Sequence, residues 1–279
     1  MSPGALNPDR PLEHDLQSIA RHQLREQLRT LPAFRALLRS VEAALVSSAA
    51  PFEPPLLDLG CGDGDFGVRV LADENLGLDP DFDSLTEARG LGDHRQLVAG
   101  NATTLPFRSA SVGTVVANSV LEHIPDLDAA LAEIARVLRP GGRLVTSSPS
   151  ERFGELLAGT RGLAAIGLRS AASRYSRWFD RHSRHFHTLS LEQWQERLQQ
   201  HRMGVTRHRT YVSPTTHAAF DLLHYLGAPT LLCRRLTGHW IPWRNPLTYR
   251  LAIRWLAPLA STAAVEGGAY VFLVAERQG

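Results

Sequence analysis

Apolar residues recur at helical spacing over residues 11–46, at Leu16, Ile19, Leu24, Leu28 and Leu31 and again at Phe34, Leu37, Leu38, Val41 and Leu45. Pro32 marks a break between two predicted helices. The proline-rich stretch at 51–55 forbids helix and delivers the chain into a short apolar strand, Leu56 to Leu59. From there to residue 150, short apolar runs alternate with helix-period segments. Strands are predicted at 56–59, 75–78, 96–99, 112–117 and 143–148, and helices at 65–73, 82–89 and 127–138. Such alternation predicts an α/β fold, a parallel sheet with helices on both faces. Residues 151–204 read as helical and arginine-rich, ending in a helix capped by Ser190 with Gln193 three residues on, as in a capping box. Strands near 205–212 and 269–275 flank an apolar insertion, 213–262, rich in Leu, Pro and Trp.

With 279 residues, 43% of them hydrophobic, the chain can bury a substantial core. All 30 basic residues are arginine, and the lack of lysine excludes a lysine Schiff base and the phosphate-loop lysine of nucleotide-binding enzymes. Two cysteines, Cys61 and Cys233, are too few for a disulfide framework. The N-terminus does not read as a signal peptide, and the longest uncharged apolar runs, Leu222 to Cys233 and Trp255 to Val265, fall short of a membrane span. A cytoplasmic protein is expected. Charge is divided unevenly: residues 1–155 carry net −8 and residues 156–279 net +10. The basic half reads either as a solvated arginine surface or as the footprint of an anionic partner.

Ligands of open parallel sheets bind beyond the carboxyl ends of the strands, which directs attention to the loop after the first strand, LLDLGCGDGDFG. Gly60, Gly62 and Gly64 permit positive φ and close approach of a ligand to the backbone. Gly62, Gly64 and Gly67 also match the GxGxxG dinucleotide fingerprint. The loop is lined, however, by Asp58, Asp63 and Asp65, whose carboxylates repel a pyrophosphate and suit a cation. Asp79, ending the second strand in LGLDPD, is placed to take the two hydroxyls of a ribose.

Five segments in order then resemble the class I S-adenosylmethionine-dependent methyltransferases of the small-molecule, methyltransferase domain 11 type. They are DLGCGDG at 58–64, GLDPD at 77–81, GNATTLPF at 100–107, VVANSVLEHIPD at 115–126 and IARVLRPGGRLVTSSPS at 134–150. The resemblance implies a Rossmann-like, seven-stranded, mostly parallel sheet and S-adenosylmethionine as cofactor. It places Asp58, Gly60, Cys61, Gly62 and Gly64 around the methionine part, Asp79 and Pro80 at the ribose, Asn101 and Ala102 at the adenine, and Asn118 beside the sulfonium. Relatives usually carry an acid where this chain has Asn101, whose amide oxygen also accepts a hydrogen bond from the adenine amino group. The RPGG stretch at 139–142 is read as structural, Pro140 ending a helix and the glycines turning the chain into a strand from Arg143.

Glu122 and His123 border the position expected for the methyl, either as a structural pair or as general base and floor. In RHSRHFHTLS, His182, His185 and His187 read as surface histidines or as acceptor-side groups, with His185 and His187 favoured because they share a face in an extended segment. No metal site is assigned, since only Asp180 supplements the histidines and their spacing fits no common ligand pair. The insertion mixes Arg234, Arg235, Arg244, Arg250 and Arg254 with Trp240, Trp243 and Trp255, which reads as a helical cap or as an amphipathic lid touching the inner face of a membrane. The expected layout is a helical cover at 1–50, a cofactor-binding core at 51–150, acceptor-side helices and the sixth strand at 151–212, the lid at 213–262 and a final strand at 263–279. The expected activity is methyl transfer, at oxygen, to a small molecule or lipid-linked precursor. A nicotinamide-dependent oxidoreductase and a non-catalytic cofactor-binding scaffold are the alternatives, and nucleic acid is disfavoured as a partner because no recognition module accompanies the arginines.

Overall fold

The computed structural model describes residues 13–71, 75–91, 94–237, 240 and 245–279. Helices α1 (Glu13–Gln27) and α2 (Ala33–Ser47) are separated at Pro32, which occupies the N-cap of α2, where a missing N–H removes no intrahelical bond. Next, β1 (Leu56–Leu59), α3 (Asp65–Val70), β2 (Asn75–Asp79), α4 (Phe82–Leu91), β3 (His94–Ala99) and β4 (Val112–Asn118) alternate as the pattern predicts. A 3-10 turn at Leu121–His123 leads to α5 (Leu127–Val137) and β5 (Leu138–Pro149). The arginine-rich stretch after β5 folds into α6 (Phe153–Leu156), α7 (Ala158–Ala165), α8 (Arg169–Ser183) and α9 (Leu191–Gln200). Strand β6 (Met203–Tyr211), helices α10 (Pro214–Thr237) and α11 (Pro246–Leu256), and β7 (Tyr270–Arg277) complete the chain.

The seven strands form one sheet in the order β3-β2-β1-β4-β5-β7-β6. The first five pair in parallel, and β7 runs antiparallel between β5 and β6. Every residue of β1 and β4 is buried, which explains why these strands read as mostly apolar stretches rather than as alternations. Successive residues feed opposite faces. Leu56, Val116 and Val145 join a core with Leu37, Val41 and Leu45 of α2, while Leu57, Leu59 and Val115 join one with Leu131 and Ile134 of α5 and Trp194 and Leu198 of α9.

Phe153 forms a hub on the first face, its ring 4.9 Å from that of His185, 4.6 Å from that of His217 and 5.6 Å from that of Tyr270. His217 has no exposure to water and donates from Nε2 to the Phe153 carbonyl at 2.9 Å. Burial lowers its pKa to about 4, so it is neutral.

Two expectations are refined. β5 starts at Leu138 rather than Arg143, because Leu138 already pairs with Val112 before the register shifts to Thr114 with Arg143. The RPGG residues are thus bulged out within the strand, with Gly141 at φ +77°, rather than turning the chain ahead of it. Helix α3 ends at Val70, and the remainder of the predicted 65–73 helix reaches residues outside those described. Trp243 and Arg244 of the insertion likewise lie outside the described residues.

The capping box is formed: Ser190 Oγ accepts from Gln193 N at 3.2 Å and Gln193 Oε1 accepts from Ser190 N at 2.9 Å. Ser190→Ala is expected to lower unfolding free energy by ~1 kcal/mol in denaturant titration, and an unchanged midpoint at equal slope would contradict the cap's role.

Candidate functional site

The strand order reverses between β1 and β4, so their carboxyl ends open a crevice. The loop entering it has Gly60, Gly62 and Gly64 at φ +73°, +55° and +79°. A Cβ on Gly60 would lie 2.6 Å from Val120 Cγ2, whereas one on Gly62 would meet nothing within 4 Å. Gly60 therefore serves close packing, and Gly62 keeps the space above the loop clear. Gly64 stands at the N-cap of α3, and the amide of Asp65, the first residue of the helix, donates to Asp63 Oδ1 at 3.3 Å.

The loop is tied to the end of β2. Gly60 N and Cys61 N both donate to the Leu78 carbonyl, at 2.7 and 3.2 Å. The Asp79 carboxylate accepts from Gly62 N through Oδ2 and from Asp81 N through Oδ1, each at 2.9 Å. Asp79 thus turns toward the loop, with one acceptor direction left on each oxygen. Exposed Pro80 follows it. The Cys61 thiol is buried, and this burial, reinforced by Asp58 and Asp79, pushes its pKa well above the usual thiol range and keeps it protonated.

The cavity at this loop is lined by Asp58, Asp63 and Asp65 of the β1–α3 segment together with Arg35 and Arg39 of α2 and Arg234 of α10. Burial and the neighbouring Arg39 lower Arg35 to about 10, which leaves it cationic at neutral pH. Its guanidinium lies 5.0 Å from the centre of the Trp240 ring, which Arg234 approaches at 4.7 Å. Asn118, also on the lining, donates to Glu42 Oε2 at 2.9 Å and accepts from Ser147 Oγ at 2.7 Å. Ser119, in the left-handed region at φ +53°, donates from Oγ to Glu42 Oε1 at 2.6 Å. Strained backbone of this kind persists where surrounding bonds over-determine it. Arg35, Arg39 and Glu42 are absent from the loop-based reading of the sequence. Their signal is present in α2: three charges at helical spacing interrupt an otherwise apolar helix.

Asn101 and Ala102 lie just past the end of β3. The Asn101 side-chain oxygen accepts from both the amide and the hydroxyl of Thr103 at 3.1 Å, and Ala102 is buried in the second core. His123, His185 and His187 gather at the end of β4. His123 and His185 have ring centres 5.4 Å apart, and His187 Nε2 lies 3.0 Å from the Ile124 carbonyl and 3.2 Å from that of Pro125. His187 therefore fastens its segment to the turn after β4. His182 is directed elsewhere, stacked on Trp178 at 5.2 Å. Glu122 is fully enclosed, and its burial, with Glu42 nearby, pushes its carboxyl up to about 8.

The two glycines make separable demands. Gly60→Ala and Gly62→Ala share the cost of positive φ, ~1–2 kcal/mol, but Gly60→Ala adds overlap with Val120 worth a further ~1–3 kcal/mol. Ligand-free denaturant unfolding is expected to rank Gly60→Ala clearly below Gly62→Ala, and equal losses would contradict the assignment of Gly60 to packing.

Residues 57–146 match the family model of the methyltransferase domain, Methyltransf_11. The malonyl-acyl-carrier-protein O-methyltransferase of Methylococcus capsulatus is 38% identical over 133 residues, 43% of this chain and 46% of that relative. The chain spans less than half the length of the first curated relatives it matches. Among solved structures, a possible histamine N-methyltransferase of Thermotoga maritima superposes with a TM-score of 0.53 at 15% identity, covering 94% of this chain and 100% of that one. The cyclase SpnF superposes at 0.54 with 18% identity, covering 97% and 98%. These likenesses establish the fold, and since a cyclase shares it, chemistry has to be argued from the site. Nothing in the comparisons supports an oxidoreductase. With the five motifs in order, the reversed strand order and the matched family model, residues 57–146 constitute a class I S-adenosylmethionine-dependent methyltransferase domain.

Proposed function

We propose that the chain transfers a methyl group from S-adenosylmethionine to an oxygen of an amphiphilic, anionic small molecule or lipid-linked precursor. The observation that carries the cofactor part is the Asp79 carboxylate locked to the Gly62 amide beneath a roof bearing Arg35 and Arg39. The residues fit the group. A side chain at Gly62 would fill the cradle, Asp79 retains acceptor positions for ribose hydroxyls, and Asp58 and Asp63 suit the ammonium and sulfonium charges, Asp65 being paired through both oxygens with Arg69 at 3.0 and 2.8 Å. Arg35 and Arg39 suit the methionine carboxylate. When bound, S-adenosylmethionine supplies an electrophilic methyl group on a positively charged sulfur.

The protein's own share of such a displacement is alignment and exclusion of water. Helix α2 covers the crevice from above, and Glu42 fixes Asn118 beside it. An acceptor hydroxyl must lose its proton as it is methylated, and His123 and His185, beside the buried Glu122, are the imidazoles at the end of β4 placed to take it. His187 positions this cluster through its bonds to Ile124 and Pro125.

The amphiphilic acceptor is supported by the outer faces of the insertion. Leu222, Tyr225, Leu226, Leu232 and Leu236 are exposed along one side of α10, and Leu247, Leu251 and Trp255 along one side of α11, beside exposed Arg250 and Arg254. Phe220 and Leu223 of α10 pack inward, so this helix is apolar on two faces. No described helix is long and apolar enough to cross a membrane. An apolar stripe flanked by arginines suits the boundary of an anionic lipid layer.

Calorimetry with S-adenosylhomocysteine and with methylthioadenosine, which has the ribose but no carboxylate, separates the two grips on the cofactor. Arg35→Ala is expected to weaken only S-adenosylhomocysteine, and Asp79→Ala both ligands, by ~1.5–3 kcal/mol each. Equal effects of Arg35→Ala on the two ligands would contradict the carboxylate assignment. For the acceptor, the chain is expected to float with vesicles containing phosphatidylglycerol, and the triple variant Leu226→Glu, Leu236→Glu, Trp255→Glu to remain unbound. Failure of the unaltered chain to float would remove the membrane-facing reading.

A further inference from the structure

We propose that Glu122, His123 and His185 form a binding site for a divalent transition metal of the zinc class. One ligand atom from each of the three lies within 4.8 Å of the others. Glu122 and His123 belong to the turn after β4, His185 to the segment after α8, and hydrogen bonds clamp these segments together. Phe186 N donates to the Glu122 carbonyl at 2.8 Å, and His123 Nδ1 donates to the Arg184 carbonyl at 3.1 Å. Because a carbonyl only accepts, the His123 hydrogen sits on Nδ1, and Nε2 presents a lone pair 3.8 Å from Glu122 Oε1. A metal-binding imidazole is oriented in this way, through its other nitrogen. Asp180 Oδ1 stands 3.6 Å from His185 Nδ1, where a carboxylate can steer the second imidazole.

Unpartnered buried atoms point independently to a ligand. Glu122 Oε2 is buried without a hydrogen-bond partner among the described residues, and Asp180 Oδ1 and His185 Nδ1 face only each other, at 3.6 Å. Glu122 is only 2% exposed, and the His185 side chain 8%. Buried polar atoms almost always find a partner, and a buried carboxyl group without one stays protonated until pairing or coordination to a metal holds its charged form. The 3.6 and 3.8 Å separations exceed hydrogen-bond length. The Glu122–His123 separation is instead near the ~3.4 Å between two ligands of a tetrahedral ion with bonds of ~2.0–2.1 Å.

Donor chemistry selects the ion. Magnesium and calcium take oxygen ligands, whereas two imidazoles and one carboxylate form a zinc-type set that leaves a coordination position open. The three histidines of the RHSRHFH run do not build the site together, since His182 stacks on Trp178 and His187 is engaged with main-chain carbonyls. The open position is suited to water or to an acceptor oxygen. That use rests on the methyl-transfer reading, whereas metal binding itself does not.

The test uses the full chain stripped with a chelator, titrated with zinc by calorimetry and with cobalt(II) by visible absorption, with S-adenosylhomocysteine binding and circular dichroism measured on the same samples. Saturable binding of one zinc per chain and visible cobalt bands are expected. Both should be lost in Glu122→Gln, His123→Ala and His185→Ala and kept in His182→Ala, while Asp180→Asn should weaken zinc by about 10–100-fold. Retained circular dichroism in Glu122→Gln, which conserves shape, separates loss of the ligand from loss of the fold. A folded chain with no saturable zinc binding, or zinc binding that survives all three ligand substitutions, overturns the site. Zinc binding with this variant pattern in a chain that does not bind S-adenosylhomocysteine supports the site and counts against the cofactor reading instead.

Discussion

Glu42 is a carboxyl group with no exposure to water, placed in a helix, and a buried charge is tolerated only with its partners in hand. Those partners are Asn118 at 2.9 Å, Ser119 at 2.6 Å and Arg39 at 3.6 Å. Two of the three belong to the end of β4, so α2 has to lie across the carboxyl edge of the sheet. Removing one member of a buried ionic group typically costs ~3–5 kcal/mol, enough to fix the geometry of the roof. Asn118 is held from its other side by Ser147 on β5, which extends the same constraint into the sheet.

With the roof set, the cavity acquires two electrostatic halves. The β1–α3 segment brings Asp58 and Asp63 to its lining, and α2 brings Arg35 and Arg39. A molecule with both positive groups and a carboxylate complements the two halves at once, whereas a pyrophosphate would meet the aspartates. The glycine pattern alone does not discriminate between these ligands, and the charges around it do. The turn that follows Asn118 bears Glu122 and His123 and meets His185, so the segment after α8 reaches the same strand end that α2 grips through Glu42.

Much of this was legible in the sequence, for physical reasons that differ by element. The central strands are buried on both faces and therefore appear as mostly apolar runs without alternation, broken only by residues such as Asp58 and Thr114. The capping box at Ser190 is a purely local device and reads directly. The early start of β5 was not legible, because it depends on the pairing of Leu138 with Val112 across the sheet. The contribution of Arg35, Arg39 and Glu42 was hidden because helical amphipathicity draws attention to apolar positions, and it is tertiary packing that turns these charges inward. The Glu122–His123–His185 group joins residues over sixty positions apart, brought together where the chain reverses at Arg184, φ +57°, after α8. Local spacing carries no trace of such a meeting.

The binding of S-adenosylmethionine between the glycine loop and the α2 roof is tested most directly by hydrogen exchange of the backbone amides with and without S-adenosylhomocysteine. Added ligand should slow exchange at Gly60 to Phe66 and, through the roof, in the turns of α2 that carry Arg35 and Arg39, leaving β6 and β7 unchanged. Protection confined to other segments, or none at saturating ligand, would contradict a cofactor site in this crevice.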